Sequence, residues 1–328
     1  MSKLNIAVDT MGGDLGPRAV VEGALYALEE FPQINISLVG PEDTIRRELQ
    51  ELAAKNAAAA IQSLEASILH APEVIRPDES PTTAFRRKKD SSIVVGLKHV
   101  KEGSASGFVS AGSTGALLTG ATVIIGRQKG IERPVLGTLL PTPKGFTFLV
   151  DSGANVDVKP SYLLQFGQMG ADYMKRCMGV KNPRVGLINI GAEKEKGNAA
   201  VKEAHELLAD SGLNFIGNIE GREIPTDAVD VAVCDGFTGN VVLKFMEGFA
   251  KTMMGMIKEE LMSSTVSKIG GLLAKNSFKN LRKRFDYREV GGAPFLGLNH
   301  IVVKAHGSSD ALAIKNAIRQ CVIFENSQ

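Results

Sequence analysis

Only three cysteines occur in the 328 residues, Cys177, Cys234 and Cys321. None has CxxC spacing or a nearby histidine, so neither a metal site nor a disulfide framework is expected. Buried reduced thiols in a cytosolic protein account for them. A secretory signal is missing as well, because Met1-Ser-Lys-Leu-Asn-Ile-Ala-Val-Asp9 reaches an acid too early. There is no Pro/Ser-rich linker and no repeat of fixed period, which argues for one α/β domain over residues 1–328. No nucleophile-elbow pattern appears, and no GxGxxG is followed by a ribose-binding acid. A nicotinamide-dependent dehydrogenase is therefore the weaker reading, and nothing points to nucleic acid.

Two local absences are informative. Gly103–Gly126 carries no charge, yet its six glycines and seven Ser/Thr residues make it too polar for a membrane span. It reads as a buried strand, loop and helix. Val266–Phe285 carries no acid among six cations, Lys268, Lys275, Lys279, Arg282, Lys283 and Arg284. With Phe245, Phe249, Met253, Met256, Ile257 and Leu261 before it at helical spacing, the stretch 241–285 predicts a protruding basic amphipathic helical segment. Such a face suits an anionic membrane surface, an acidic partner protein or a second subunit. Contact is expected through Lys268, Leu272, Lys275, Phe278, Lys279, Arg282 and Lys283, with Phe278, Leu281 and Phe285 inserting into the bilayer.

What is abundant is a recurring grammar: an apolar run, a small polar glycine-rich cluster, then a helical pattern. The strands expected are Asn5–Asp9, Ile36–Val39, Phe108–Ser110, Phe146–Val150, Val185–Ile190, Asn214–Gly217, Val229–Cys234 and Ile301–Lys304. Pro17 and Pro160 open helices, Thr44–Lys55 with the following alanines is helical, and Ser309–Val322 closes the chain. Strands alternating with helices predict a three-layer α/β/α fold with a largely parallel open sheet. In such sheets ligands bind at the carboxyl ends of the strands.

The clusters lie at those ends. Asp9-Thr-Met-Gly-Gly-Asp14 offers a tight turn at Gly12 and Gly13, flanked by the carboxylates of Asp9 and Asp14. Ser110-Ala-Gly-Ser-Thr-Gly115 is a candidate anion nest, with Ser110, Gly112, Ser113, Thr114 and Gly115 as binding residues. Asp151-Ser-Gly-Ala-Asn155 is followed by Lys159, a cation in a helix's first turn, where the macrodipole disfavours it unless it serves an anion. Asn189-Ile-Gly-Ala-Glu193 leads into a charged loop in which Lys194 could meet a phosphate. Asp235-Gly-Phe-Thr-Gly-Asn240 offers Thr238, Gly239 and Asn240, and Lys244 follows one turn on. Ala305-His-Gly-Ser-Ser309 holds the one histidine in such a cluster, His306, a candidate acid, base or oxyanion donor. His70, His99, His205 and His300 read as structural or surface residues.

In this order the clusters, together with Gly191-Ala-Glu-Lys-Glu-Lys-Gly197 and Gly291-Gly-Ala-Pro-Phe-Leu-Gly297, resemble the bacterial PlsX family, the acyl-acyl carrier protein:phosphate acyltransferases. Ser113 stands where Asn is common there, Thr10 where Ala is, and Phe295 where Leu is. The resemblance implies the fold of isocitrate/isopropylmalate dehydrogenases and phosphate acetyltransferases, and a homodimer. It implies attack of inorganic phosphate on the thioester of a long-chain acyl carrier protein. The acyl phosphate would feed a membrane glycerol-phosphate acyltransferase in phospholipid synthesis, from a cytoplasmic, peripherally membrane-associated enzyme. No cofactor is implied. Phosphate binding falls to Ser110–Gly115 with Lys159, and catalytic work to Lys244 and His306 with Asp235 beside them. The rival readings are a phosphotransacylase acting on acyl-coenzyme A and a non-catalytic carrier- or membrane-binding scaffold.

Overall fold

Apolar runs buried on both faces form parallel strands, and the polar clusters that stop them become the turns into helices. The computed structural model describes residues 4–53, 58–76 and 78–327. Its strands are β1 Leu4–Asp9, β2 Ile34–Gly40, β3 Ile68–His70, β4 Gly107–Ser110, β5 Val135–Pro141, β6 Phe146–Val150, β7 Val185–Asn189, β8 Phe215–Glu220, β9 Val231–Val233, β10 Ala293–Leu296 and β11 Ile301–Lys304. Its helices are α1 Gly16–Glu30, α2 Glu42–Ala53, α3 Ala58–Glu65, α4 Pro81–Arg87, α5 Ser92–Lys101, α6 Thr114–Gly120, α7 Pro160–Arg176, α8 Ala199–Ala209, α9 Gly236–Leu261, α10 Thr265–Leu273, α11 Lys275–Arg284, α12 Tyr287–Val290 and α13 Ala311–Asn326. Lys55 and its neighbours 54–57, expected at the end of a helix, lie outside the described residues.

The sheet runs β3-β2-β1-β4-β11-β10-β5-β6-β9-β7-β8. Five strands from β3 to β11 are parallel, as are the four from β6 to β8. Between these wings β10 runs antiparallel to both β11 and β5, and β5 antiparallel to β6. The largely parallel three-layer expectation is met, with an antiparallel seam added at its centre.

Helices cover both faces of each wing. Val20, Ala24, Ile314 and Ile318 pack α1 and α13 on Ile6, Val8 and Ile36. Leu97 and Leu117 bring α5 and α6 onto Phe108 and Val302 from the other side. On the second wing Leu163, Phe166 and Leu208 bring α7 and α8 onto Phe148 and Val233. Opposite them, Val242, Leu243 and Met246 of α9 sit on Leu149 and Ala232. The α1–α13 contact is close enough that a Cβ on Gly23 would lie 2.7 Å from the Ala311 carbonyl oxygen.

The basic segment is three helices rather than one. The long α9 ends at Leu261, and Ser264 caps α10 by accepting from the Ser267 N–H at 3.1 Å. Neither α10 nor α11 buries a residue. Val266, Ile269, Leu272 and Leu273 of α10 are 81%, 58%, 70% and 84% exposed.

Candidate active site

The loops after β1, β4 and β11 interlock. Asp9 is buried, and its carboxylate accepts from the Ser110 hydroxyl at 2.6 Å and from the Met11 N–H at 3.0 Å. Burial raises its pKa above the ordinary value, opposed by these hydrogen bonds, another from Ser92, and Lys304. The Ser110 hydroxyl also accepts from the Gly112 N–H at 3.0 Å. A Cβ on Gly12 would collide with the Gly112 nitrogen, so the two loops touch backbone to backbone. The Asp14 N–H donates to the Gly307 carbonyl at 2.8 Å, which adds the third loop. Gly13 sits against the same carbonyl, and Gly115 against Pro81.

Lys304, which the sequence reading passed over, stands at the centre of these loops. Its ammonium donates to the Ala111 carbonyl at 3.2 Å and to the Ala305 carbonyl. Burial lowers its pKa to about 8, helped by Lys244 and opposed by Asp14 and Asp9. Strand β11 carried the signal: Ile301-Val-Val-Lys304 puts a lone cation at the carboxyl end of a buried strand, directly before the histidine cluster.

From the second wing, α9 brings Lys244 to within 3.0 Å of His306 Nε2, and the same ammonium pairs with Glu247 at 2.9 Å. The Lys244 ammonium can only donate to Nε2, while Nδ1 accepts from the Ser308 N–H at 3.2 Å and lies 2.8 Å from the Ser308 hydroxyl, so both ring nitrogens face donors. Burial lowers the His306 pKa, with Lys244 and Lys304 adding to it and Glu247 and Asp14 opposing. These surroundings disfavour the imidazolium form of His306.

Five expected residues hold the site's frame. Asp235 caps α9, one oxygen accepting from the Thr238 N–H and the other from the Thr238 hydroxyl, both at 2.8 Å. Asp151 gathers the backbone N–H groups of Gly153, Ala154 and Asn155 and the Asn155 amide, between 2.6 and 3.0 Å. Asn155 in turn donates to the Pro134 carbonyl and accepts from the Gly236 N–H. Gly239 lets α9 press on the Asp151 carbonyl, where any Cβ would clash. Ser113 likewise caps α6, at 3.5 Å from the Ala116 N–H.

A cavity of about 1100 Å³ opens from this junction. Its polar end is formed by Thr114, Gly153, Asn240, Lys244, Lys304 and His306. Away from them it becomes a trough between β5 and α9, lined by Leu139, Leu140, Leu243, Phe249, Met253 and Ile257 and closed by Leu281 and Phe285 of the basic segment. Leu281 and Phe285, expected to enter a bilayer, line this trough and remain 38% and 46% exposed. Phe278 is half-buried, while Lys268, Leu272, Lys275, Lys279, Arg282 and Lys283 are exposed.

Two expected anion ligands are elsewhere. Lys159 lies over the Tyr162 ring, 5.9 Å from its centre, and Lys194 is exposed on the loop after β7; neither lines the cavity. That loop is tied down by Asn218, whose amide donates to the Glu193 carbonyl at 2.8 Å.

The family described as "Fatty acid synthesis protein" matches residues 4–328. A phosphate acyltransferase of Clostridium botulinum (strain Loch Maree / Type A3) is 54% identical over 318 residues, covering 97% of this chain and 93% of that one. A second, of Clostridium tetani, is 50% identical over 321 residues, covering 98% and 94%. Among solved structures, a phosphotransacetylase from Streptococcus pyogenes superimposes with a TM-score of 0.64 at 18% identity, over 100% of this chain and 94% of that chain. A 4-hydroxythreonine-4-phosphate dehydrogenase from Klebsiella pneumoniae does so with a TM-score of 0.55 at 15% identity, over 100% of both. At such identities the two structures establish a shared fold. The near-full-length sequence matches go further: the chain belongs to the PlsX family of phosphate acyltransferases and is an acyltransferase.

Proposed function

We propose that the protein transfers a long-chain acyl group from acyl carrier protein to inorganic phosphate, releasing acyl phosphate for phospholipid synthesis. The observation that carries this reading is one cavity with two chemistries, cationic at the strand ends and apolar along α9. A fatty chain fills the trough, and its thioester then lies among Lys244, Lys304 and His306.

A thioester is already activated and phosphate is a competent nucleophile, so the enzyme need supply no nucleophile of its own. Lys304 holds hydrogenphosphate, helped by Lys244 and Asn240. A phosphate oxygen attacks the thioester carbon while neutral His306 takes the phosphate proton. The tetrahedral oxyanion meets Lys244; donors of this kind contribute about 3–4 kcal/mol each to such transition states. Collapse breaks the C–S bond, and His306 returns the proton to the departing thiol. Asp235, Asp151, Asn155 and the Asp9–Ser110 pair act by holding the loops.

The exposed apolar side chains of α10 and the cations Lys268, Lys275, Lys279 and Arg282 suit an anionic membrane surface. Among the described residues no helix is long and apolar enough to cross a membrane, and the contact proposed is peripheral. We place the enzyme in the cytoplasm as a homodimer, passing its product to a membrane glycerol-phosphate acyltransferase. The test is to incubate the purified protein with palmitoyl-acyl carrier protein or palmitoyl-coenzyme A, with and without phosphate, and to trap product with hydroxylamine. Phosphate-dependent hydroxamate from the carrier-bound donor is expected. Product from the coenzyme A thioester alone would change the donor, and no turnover with either would overturn the reading.

A further inference from the structure

The Asp151–Asn155 loop gives Gly153 to the large cavity and Asn155 to a second one of about 400 Å³. Helix α6 is shared in the same way: Thr114 lines the first cavity, Leu118 the second, and Thr122 of the π-helical turn Ala121–Ile125 also lines the second. Four helical residues rise about 6 Å, so the two cavities are one to two turns apart.

The second cavity is polar and cationic. Arg127 and Arg133 line it beside Tyr162 and Asn155. The Arg133 guanidinium lies 6.0 Å from the centre of the Tyr162 ring, over which Lys159 also lies. Arg127 is held by donating to the Glu132 carbonyl. The lining acid, Glu132, accepts from the Ser161 hydroxyl at 3.2 Å. Among the described residues Arg127, Arg133 and Lys159 form no ion pair. Arg127 and Arg133 thus stand exposed at the cavity without an ion pair, and exposed Lys159 adds a third cation beside it over Tyr162. Planar guanidinium forks match the oxygens of a phosphate group.

We propose that this cavity binds the phosphate ester of the donor's pantetheine-type thiol arm. The inference rests on the acyl-transfer reading. With the chain in the trough and the thioester at the Lys244–His306 end, the arm must leave by a polar route. The cavity with these arginines is its neighbour across α6 and the Asp151–Asn155 loop. The arm's phosphate is common to carrier-bound and coenzyme A-bound donors, and Lys159 serves that group rather than the acceptor phosphate.

The test compares palmitoyl thioesters of pantetheine, phosphopantetheine and acyl carrier protein in the wild type, Arg133→Gln and Lys159→Gln. The substitutions are expected to raise KM about tenfold for both phosphate-bearing donors, with kcat kept and the phosphopantetheine and carrier donors affected alike. KM for the pantetheine thioester and for inorganic phosphate is expected to stay unchanged, which also shows that the variants fold. An equal effect on all three donors, or none, overturns the site. An effect on the carrier-bound donor alone overturns it too, because the cations would then read the carrier's surface. No turnover by the wild type with any donor would instead overturn the acyl-transfer reading, and this site with it.

Discussion

Lys304 and His306 set the pH behaviour expected of the site. With its pKa lowered to about 8, Lys304 is charged at pH 7 and loses its charge as pH rises through that value. Phosphate held by the ammonium is then released, so KM for phosphate should climb on the alkaline side of about pH 8. Lys304→Arg keeps the charge and should flatten that limb, while Lys304→Met should raise KM at every pH. In the proposed mechanism His306 is the base, and burial with Lys244 and Lys304 nearby favours its neutral form. His306→Asn is expected to cost about 10²-fold or more in kcat, measured by phosphate-dependent thioester loss. Gly239→Ala tests the frame: a Cβ there meets the Asp151 carbonyl, and about 1–3 kcal/mol of stability should be lost, read as a lower Tm. Lys244, His306 and Asn240 were legible because each belongs to a polar cluster or lies a turn beyond it. Lys304 was not, because a lysine ending an apolar strand reads as the strand's exposed edge until burial is known. The place of Lys159 was not legible either, because its contact with the Tyr162 ring, away from the large cavity, follows no sequence pattern.

Among elements, the parallel strands were legible and the antiparallel seam was not. Each strand read as parallel stops at a cluster and opens into a helix or helical turn, a grammar that repeats along the chain. Strand β5 instead leads through Thr142–Gly145 straight into β6, and β10 into β11, so neither is followed by a helix. Pro294 also argues against a central strand; it is tolerated because β10 pairs with β5 only from Phe295 onward. The closing helix starts at Ala311 rather than Ser309, since Asp310 caps it through the Ala313 N–H at 3.0 Å. The basic segment was legible in composition, but the turn that folds α10 and α11 back beside α9 was not. Only that turn brings Leu281 and Phe285 to the trough. Reversing charge at Lys279, Arg282 and Lys283 should weaken binding to anionic vesicles by about two orders of magnitude, at roughly 1 kcal/mol per cation. Because α11 buries no residue, Tm should not change. Vesicle binding like that of the wild type would show that these helices meet a protein instead.

Across the whole molecule, the proposed chemistry depends on bringing two wings of one sheet together. The first wing supplies Lys304 and His306, the second Lys244 and Asn240, and the antiparallel seam fixes their separation. The trough belongs to the second wing and to the helices that protrude from it, so the proposed site for the acyl chain adjoins the exposed apolar side chains of α9 and α10. The central claim is that chain and phosphate meet in this one cavity. The direct measurement is kcat/KM over acyl donors of eight to eighteen carbons for the wild type and Ala250→Trp, whose indole would fill the trough at α9. The account predicts that the variant loses the long chains selectively, keeps the short ones, and leaves KM for phosphate unchanged. A loss that is uniform across chain lengths, or no loss at all, would contradict it.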